Sequence, residues 1–254
     1  MKVFLTGASS GLGEALARRY ATEGATLGLV ARRASELERL AATLAPAAVA
    51  TYTCDVRDSA ALAKAGGDFI ARFGCPDVVI ANAGISRGFL TELPEDLPAM
   101  RAIFETNVYG IVHTFQPFVA AMAERRSGAL VGVASVAGFR GMPGSGAYCG
   151  SKSAAITYLE SLRVEMRPRG VDVVTICPGF IETELTAKNP YRMPFLLKVD
   201  DAARLVARAI ERRKRFYVLP WPMALVGRVL KVLPRPLFDR VVQNRKRKPR
   251  DNRI

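Results

Sequence analysis

The chain carries Thr6-Gly7-Ala8-Ser9-Ser10-Gly11-Leu12-Gly13 between an apolar run at 2–6 and a helix-length pattern at 12–23. A glycine-rich turn that follows a strand and opens a helix is the context in which dinucleotide-binding turns occur. The turn therefore predicts that 2–6 is a strand of a parallel sheet and that a nucleotide binds where this strand ends. The alternative is a glycine-rich turn that binds no ligand.

The residues of this turn have distinct expected tasks. Gly7 would permit the tight turn, Gly11 would let the backbone approach a pyrophosphate, and Gly13 would let the helix pack closely against the strand. The N–H groups at the start of the helix would then face the phosphates. The other expected cofactor contacts in this turn are Ser9, Ser10 and Leu12.

Short apolar runs alternate with helix-length segments along the chain. The runs lie at 2–6, 26–31, 48–53, 77–81, 129–134, 171–177 and 216–219. The helix-length segments lie at 12–23, 35–45, 59–73, 98–125, 148–167 and 200–213. Apolar strands that alternate with helices indicate a parallel sheet covered on both faces. With right-handed crossovers, this pattern predicts an α/β fold with one doubly wound (Rossmann) parallel sheet and helices on both faces.

Tyr148 and Lys152 are four residues apart in a segment that is predicted to be helical. Residues at this spacing lie on one face of a helix, so the phenol and the ammonium can point at the same small volume. A nearby cation favours the phenolate and would lower the pKa of Tyr148 from its usual value of about 10. Such a phenol can give a proton to a carbonyl or take one from an alcohol. A solvated lysine beside a half-buried ring is the alternative.

The glycine turn and the Tyr148-x-x-x-Lys152 pair together resemble the short-chain dehydrogenase/reductase family. The further matching motifs are Asn82-Ala83-Gly84, Asn107 within Thr106-Asn107-Val108-Tyr109-Gly110, Ser135, and Pro178-Gly179 followed by Ile181 and Thr183. The resemblance covers about residues 1–215. It implies a cofactor-binding catalytic domain at 1–215 and leaves 216–254 as a C-terminal extension.

The resemblance implies four catalytic residues. Tyr148 would be the general acid in reduction and the general base in oxidation, and Lys152 would lower its pKa and bond the nicotinamide ribose. Ser135 would donate a hydrogen bond to the substrate oxygen. Asn107 would position a water that links Lys152 to solvent. The turn Asn82-Ala83-Gly84 would brace the sheet, and the segment Pro178-Gly179 with Ile181 and Thr183 would hold the nicotinamide amide.

The second predicted strand ends in Val30-Ala31-Arg32-Arg33. NAD-binding relatives of this fold place an acid here to bond the ribose 2′-hydroxyl, whereas two guanidinium groups suit a 2′-phosphate. The sequence therefore predicts NADP(H) in preference to NAD(H). The alternative is that Arg32 and Arg33 are a solvated helix entry. The resemblance also implies that Asp55, with Val56 beside it, contacts the adenine ring.

Cysteine and histidine are sparse and scattered. The four cysteines are Cys54, Cys75, Cys149 and Cys177, and the single histidine is His113. Because no two cysteines have C-x-x-C spacing, we expect neither a metal site nor a disulfide framework. The chain runs from Met1 straight into an apolar run, without the pattern of a signal peptide, so we expect a cytoplasmic protein.

Positive charge is concentrated near the C-terminus. Residues 212–254 hold 14 Lys and Arg against 2 Asp and Glu, a balance of +12, whereas the whole chain has a balance of +14. Arg228, Lys231 and Arg235 are three and four residues apart and are predicted to share a helix face, with apolar residues on the other faces. This pattern fits a basic amphipathic segment at 223–248 that lies on an anionic membrane surface, which would place the protein at the inner face of the membrane.

Three other interpretations of the C-terminal extension remain open. It could be a lid over the substrate cleft, an arm between subunits, or, at its basic end, a disordered solubilising tail. We expect no nucleic acid as a partner, because no aromatic-rich basic platform accompanies the charge. The family resemblance implies a homodimer or homotetramer.

The residues expected to line the substrate cleft are mostly apolar. They are Ala137, Phe139, Met142, Phe180, Leu185 and the segment 186–198, which contains Tyr191, Met193, Phe195 and Leu196. An apolar cleft fits a lipophilic carbonyl or alcohol, such as a 3-oxoacyl chain, a sterol-like ketone or a long-chain aldehyde. The predicted activity is therefore NADP(H)-dependent reduction of a lipophilic ketone or aldehyde. The alternative is a non-catalytic NADP-binding regulator or a membrane-surface scaffold on the same fold.

Overall fold

The computed structural model describes residues 1–187 and 189–250. Within this part of the chain, seven parallel strands form one sheet. The strands are β1 (Lys2–Thr6), β2 (Thr26–Ala31), β3 (Val49–Thr53), β4 (Val78–Ala81), β5 (Ala129–Val133), β6 (Asp172–Pro178) and β7 (Phe216–Leu219), and their order is β3-β2-β1-β4-β5-β6-β7. The order reverses between β1 and β4, and the carboxyl ends of these strands open a crevice in which ligands of such folds bind.

Helices cover both faces of the sheet. They are α1 (Gly11–Thr22), α2 (Ala34–Ala42), α3 (Ser59–Phe73), α4 (Leu97–Phe104), α5 (Gly110–Arg125), α6 (Gly146–Met166), α7 (Glu184–Ala187), α8 (Val199–Glu211), α9 (Trp221–Val232) and α10 (Arg235–Val242). One apolar cluster joins α1, α2 and α8 to the sheet, and the other joins α3, α5 and α6. Successive strand residues alternate between the clusters, as Val3 and Phe4 do. The predicted doubly wound fold is confirmed.

The strands lie within about a residue of the predicted runs, whereas the long helix predicted at 98–125 is interrupted. Between α4 and α5 the chain makes one π-helical turn, Glu105–Tyr109. A π-helical turn inside a helix is frequent at functional sites, because it re-aims the side chains that follow. This turn contains Asn107.

The C-terminal extension differs from its prediction in two respects. Residues 216–219 form β7, so the sheet continues four residues beyond the expected boundary at 215. Arg235 does not share a helix with Arg228 and Lys231, because α9 ends at Val232 and Arg235 opens α10. Pro234 and Pro236 disfavour a continuous helix here, since proline lacks the N–H that a helix interior requires.

Both terminal helices pack against residues 139 and 140, which follow β5. The ring of Phe139 lies 6.1 Å from that of Phe216, and a Cβ at Gly227 of α9 would meet the Phe139 ring at 2.4 Å. Arg140 donates to the carbonyl oxygens of Leu230 at 2.9 Å and Leu233 at 3.0 Å. Among the described residues, none of the helices combines the length and apolarity needed to cross a bilayer.

Candidate active site

The glycine turn after β1 has the geometry that its sequence predicts. Gly7 has a φ of +69°, a conformation that L side chains rarely adopt. A Cβ at Gly13 would lie 2.0 Å from the carbonyl oxygen of Gly7, so α1 can approach β1 only without a side chain at this position. A Cβ at Gly11 would lie 3.1 Å from Cγ2 of Thr183, which brings the segment after β6 over the turn. The resulting cradle fits a dinucleotide phosphate against the start of α1.

Asn82 joins the turn to the next strand of the crevice. Its side-chain amide donates to the carbonyl oxygens of Thr6 at 3.1 Å and Gly7 at 3.2 Å. The Thr6 hydroxyl in turn accepts from the N–H groups of Asn82 at 3.2 Å and Ala83 at 3.4 Å. These bonds hold the carboxyl ends of β1 and β4 at a fixed distance, which agrees with the bracing expected of Asn82-Ala83-Gly84.

Arg32 and Arg33 follow β2, at the edge of the same crevice. Arg33 donates to the Ser9 hydroxyl at 3.3 Å and lies 3.9 Å from a carboxylate oxygen of Glu184. Arg32 lies 3.8 Å from Asp55, and its side chain is 65% exposed. Burial acts to raise the pKa of Asp55, but hydrogen bonds from Arg57 outweigh it, so the pKa is lowered and the carboxylate is charged at neutral pH. Arg33 therefore borders the turn directly, whereas Arg32 lies beside Asp55, after β3.

Asn107 is fully buried in the π-helical turn. Its side-chain oxygen accepts from the N–H of Ile85 at 2.8 Å, and its amide donates to the Ile85 carbonyl at 3.0 Å and to the Ser151 hydroxyl at 3.0 Å. The Ser151 hydroxyl donates to the carbonyl oxygen of Tyr148 at 2.8 Å. Asn107 thus joins the loop after β4 to the helix that carries Tyr148 and Lys152.

Lys152 is buried against the end of β5. Its ammonium donates to the Val133 carbonyl at 2.8 Å, and a Cβ at Gly84 would lie 3.5 Å from it. Burial lowers the pKa of Lys152 to about 8, and the nearby Cys177 thiol acts slightly in the other direction. The ammonium lies 5.9 Å from the centroid of the Tyr148 ring.

Tyr148 and Ser135 form the centre of the site. Burial raises the pKa of Tyr148 to about 12, while a hydrogen bond with the Ser135 side chain acts to lower it. Burial outweighs any lowering of the Tyr148 pKa by Lys152 here, and the expectation that Lys152 depresses it stays a prediction. Lys152 donates to Val133, and burial also destabilises its ammonium as a cation. Tyr148 is therefore held protonated, which suits a general acid.

The segment after β6 forms the last wall of the crevice. The Gly179 N–H donates to the Leu219 carbonyl at 2.7 Å, and the Pro178 carbonyl accepts from Ser135 at 3.4 Å. Ile181 is buried, and the Thr183 N–H donates to the Thr186 hydroxyl at 3.1 Å. The expected cofactor positions in this segment therefore lie at the carboxyl end of β6 or in the loop that follows it.

Val56 follows Asp55, the expected adenine contact, and lies next to His113. Val56 is buried, and its carbonyl oxygen lies 3.0 Å from Nδ1 of His113. His113 therefore contacts the backbone beside Asp55.

The predicted cleft residues are only partly brought together. The rings of Phe180 and Tyr191 lie 6.3 Å apart, and Tyr191 is close enough to influence the pKa of Tyr148. Leu185, Phe195 and Leu196 are instead exposed at 42–51%. Lys188, within the expected segment 186–198, lies outside the described residues.

Sequence reasoning missed three polar supports of the site: Thr6, Ser151 and the carbonyl of Val133. Thr6 opens the quoted glycine turn and Ser151 adjoins Lys152, so position beside a motif could have indicated both. A backbone carbonyl leaves no signal in a sequence.

The comparisons with known proteins agree with this geometry. The model of the short chain dehydrogenase family matches residues 1–193. An uncharacterized oxidoreductase of Myxococcus xanthus is 41% identical over 239 residues, which cover 92% of this chain and 93% of that protein. The chain belongs to the short-chain dehydrogenase/reductase family and is an oxidoreductase.

Solved structures with bound cofactor show the same fold. A short-chain dehydrogenase from Sphingobium yanoikuyae in complex with NADPH superposes with a TM-score of 0.80 at 25% identity, covering 96% of this chain and 98% of that one. A family member from Burkholderia phymatum in complex with NAD superposes with a TM-score of 0.81 at 26% identity, covering 98% and 96%. Both nicotinamide nucleotides are thus bound on this fold, and these relatives give no support to a non-catalytic regulator.

Proposed function

We propose that the protein is an NADP(H)-dependent reductase of lipophilic ketones or aldehydes. The observation that carries this proposal is the convergence of Tyr148, Ser135 and Lys152 at the carboxyl ends of β5 and β6. The Ser135 side chain is close enough to Tyr148 to lower its pKa, and the Lys152 ammonium lies 5.9 Å from the centroid of the Tyr148 ring. A protonated phenol beside a hydroxyl donor can bind and protonate a carbonyl oxygen.

The residues have complementary tasks in this mechanism. A bound nicotinamide cofactor supplies the hydride. Ser135 donates a hydrogen bond to the substrate carbonyl oxygen and holds it beside Tyr148, and Tyr148 transfers its phenolic proton to that oxygen as it becomes an alkoxide. Lys152 stabilises the phenolate left behind and bonds the nicotinamide ribose. Asn107 orders a water through which a proton returns from solvent.

The preference for NADP(H) rests on Arg32 and Arg33. Arg33 is bonded to Ser9 of the glycine turn and Arg32 precedes it in the chain, so a 2′-phosphate bound there would receive charge-assisted hydrogen bonds from both. The acids near them, Asp55 and Glu184, are 3.8 and 3.9 Å from the respective guanidinium groups. These are loose ion pairs, which a phosphate can replace at small cost.

The preference for a lipophilic substrate rests on the wall opposite the cofactor. The rings of Phe180 and Tyr191 lie 6.3 Å apart there, and Tyr191 is near enough to raise the pKa of Tyr148. An aromatic wall with few charges binds apolar groups better than sugars or small acids.

The exposed face of α9 and α10 supports contact with an anionic membrane surface. Trp221, Leu225, Val229 and Val232 lie three or four residues apart on α9 and are 50–79% exposed. Leu237 and Val241 continue the apolar surface on α10, being 47% and 65% exposed. The exposed basic residues beside them are Arg228, Lys231, Arg235 and Arg240. An apolar stripe flanked by cations is complementary to an anionic lipid surface.

A homodimer or homotetramer is proposed on the family resemblance alone. Size-exclusion chromatography with light scattering measures it directly, and a monomer at micromolar concentration would remove it.

The experiment that tests the proposed function is NADPH oxidation against a panel of carbonyl compounds. The panel should contain short, long-chain and polycyclic ketones and aldehydes, together with sugars as polar carbonyl compounds, and the products should be identified. Among compounds of similar bulk, we expect kcat/KM to rise with apolar surface, because each buried methylene contributes about 0.8 kcal/mol. Equal turnover of sugars and long-chain ketones would contradict the lipophilic assignment, and no NADPH oxidation with any compound would contradict the reductase itself.

A further inference from the structure

The last described residues of the chain, 245–250, run back from α10 across the substrate side of the protein. We call these residues the strap. The ammonium of Lys248 donates to the Ser86 hydroxyl at 2.8 Å, and the carbonyl oxygen of Pro249 accepts from the Gly88 N–H at 3.1 Å. The strap is therefore bonded to the loop that follows β4, about 160 residues earlier in the chain.

The loop beneath the strap is part of the catalytic centre. Ser86 adjoins Ile85, whose backbone forms both hydrogen bonds with the side chain of Asn107. Gly84, two residues before Ser86, faces the Lys152 ammonium. The strap thus closes over residues that hold the proton path of the proposed mechanism.

Two further walls of the cleft also touch the strap. A Cβ at Gly144, four residues before Tyr148, would meet Cβ of Arg247 at 2.9 Å. The guanidinium of Arg245 lies 5.5 Å from the ring centroid of Tyr191, on the opposite wall. The strap therefore spans the loop after β4, the loop before α6 and the segment after β6, which together surround the proposed substrate position.

An ion pair between the partly exposed Arg250 and the buried Asp96 holds the end of the strap. Arg250 donates to both carboxylate oxygens of Asp96 at 2.9–3.0 Å and to Glu95 at 3.1 Å. Asp96 is only 1% exposed and also accepts from the Leu90 N–H at 2.9 Å. A bidentate pair of this kind, with a buried carboxylate, is stronger than an ion pair between two exposed groups. The hydrogen bond from Arg250 keeps the pKa of Asp96 below its usual range, so the carboxylate is charged at neutral pH.

We infer that the strap is a latch over the substrate cleft, held shut by Arg250 on Asp96, and that it selects substrates by size. This inference rests on the proposed function, since it takes the cleft to admit a carbonyl substrate. Small carbonyl compounds enter beneath the closed strap, whereas bulky ones bind only when the ion pair opens. Release of the pair therefore favours bulky substrates selectively.

The test compares Arg250→Gln and Asp96→Asn with Arg240→Gln, which removes the same charge from an exposed position on α10. Hydrogen exchange of the Gly88 amide reports the strap directly, because this N–H donates to Pro249. We expect exchange at least about tenfold faster in the first two variants and unchanged exchange in the control, since loss of one charge-assisted pair shifts an opening equilibrium by about that factor. Unchanged exchange at Gly88 in both variants would overturn the latch.

Kinetics then test selection by size. The ratio of kcat/KM for a bulky ketone to that for a short one is expected to rise at least about fivefold in Arg250→Gln and Asp96→Asn and to stay constant in Arg240→Gln. The double variant should match the single ones, because both remove the same pair. Faster exchange with an unchanged ratio would overturn the selection. Exchange needs no turnover, so absence of any reductase activity would contradict the proposed function while leaving the latch measurable.

Discussion

Lys152 donates to the carbonyl oxygen of Val133 at 2.8 Å, which ties helix α6 to the end of strand β5. The ammonium is almost completely buried, and burial lowers its pKa to about 8. The protein thus keeps a cation where a cation is unfavourable. Buried charges and shifted pKa values of this kind are common at functional sites, where they serve the reaction at a cost in stability.

This relationship predicts how stability depends on pH. Between about pH 8 and 10.5 the unfolded chain keeps the Lys152 proton that the folded protein has lost, so stability rises with pH in this window. Lys152→Met has no ammonium to lose a proton, so its stability lacks this increase with pH. We expect the free energy of unfolding of the wild type, relative to Lys152→Met, to increase by up to about 3 kcal/mol across the window. Urea unfolding at pH 7, 8, 9 and 10 measures it. A difference that stays constant or falls with pH would refute the assigned pKa.

Replacing both arginines after β2 should change the choice of cofactor. In Arg32→Ala/Arg33→Ala, kcat/KM for NADPH is expected to fall at least about thirtyfold while that for NADH changes little, because only the 2′-phosphate loses its charged donors. Arg39→Ala is the matched control, since Arg39 lies on α2 and pairs with Glu36 and Glu14. An unchanged ratio of NADPH to NADH in the double variant would show that the two arginines are solvated residues only.

A glycine of the turn and a glycine of α3 offer two substitutions with opposite expected effects on stability. Gly13→Ala is expected to lower the free energy of unfolding by about 3 kcal/mol or more and to abolish cofactor binding, because its Cβ would lie 2.0 Å from a backbone oxygen. Gly67→Ala lies in the interior of α3 and meets no atom within 4 Å, so we expect stabilisation of about 0.5–1 kcal/mol. Thermal unfolding and NADPH titration check both. A folded, NADPH-binding Gly13→Ala protein would contradict the close packing.

The apolar stripe on α9 should control binding to lipid. We expect the wild type to sediment with phosphatidylglycerol vesicles and not with phosphatidylcholine vesicles, and Leu225→Asp/Val229→Asp to remain in the supernatant with both. Val164→Asp is the control, because Val164 is also 60% exposed but lies on α6. Equal sedimentation of the wild type and the double variant would exclude this face as the membrane contact.

Strand and helix positions could be predicted from the sequence, because buried parallel strands and their covering helices leave long apolar patterns. The glycine turn and the residues of the catalytic group could be identified for a different reason. Gly7 and Gly13 are required by backbone geometry, and the four-residue spacing of Tyr148 and Lys152 places both on one helix face, whereas Ser135 is implied by the family resemblance.

The electrostatics and the strap could not be predicted in this way. The raised pKa of Tyr148 depends on burial, and the hydrogen bond from Lys152 to Val133 depends on how α6 packs against β5; neither has a sequence pattern. The ion pair of Arg250 with Asp96 joins residues 154 positions apart. The sequence showed a basic terminus, but among so many cations nothing distinguishes the one that pairs with a buried carboxylate.

The measurement that tests the central claim most directly is the single-turnover rate of NADPH oxidation in Tyr148→Phe. The phenyl ring keeps the shape of the site but cannot give a proton to the substrate oxygen. In Tyr148→Phe we expect the NADPH affinity to stay within about twofold of the wild type and the single-turnover rate to fall by about 10²–10⁴. In the control Tyr191→Phe, which changes another ring of the cleft, we expect this rate to stay within about fivefold of the wild type. A Tyr148→Phe enzyme that reduces the same ketones at close to the wild-type rate would contradict the assignment of Tyr148 as the proton donor.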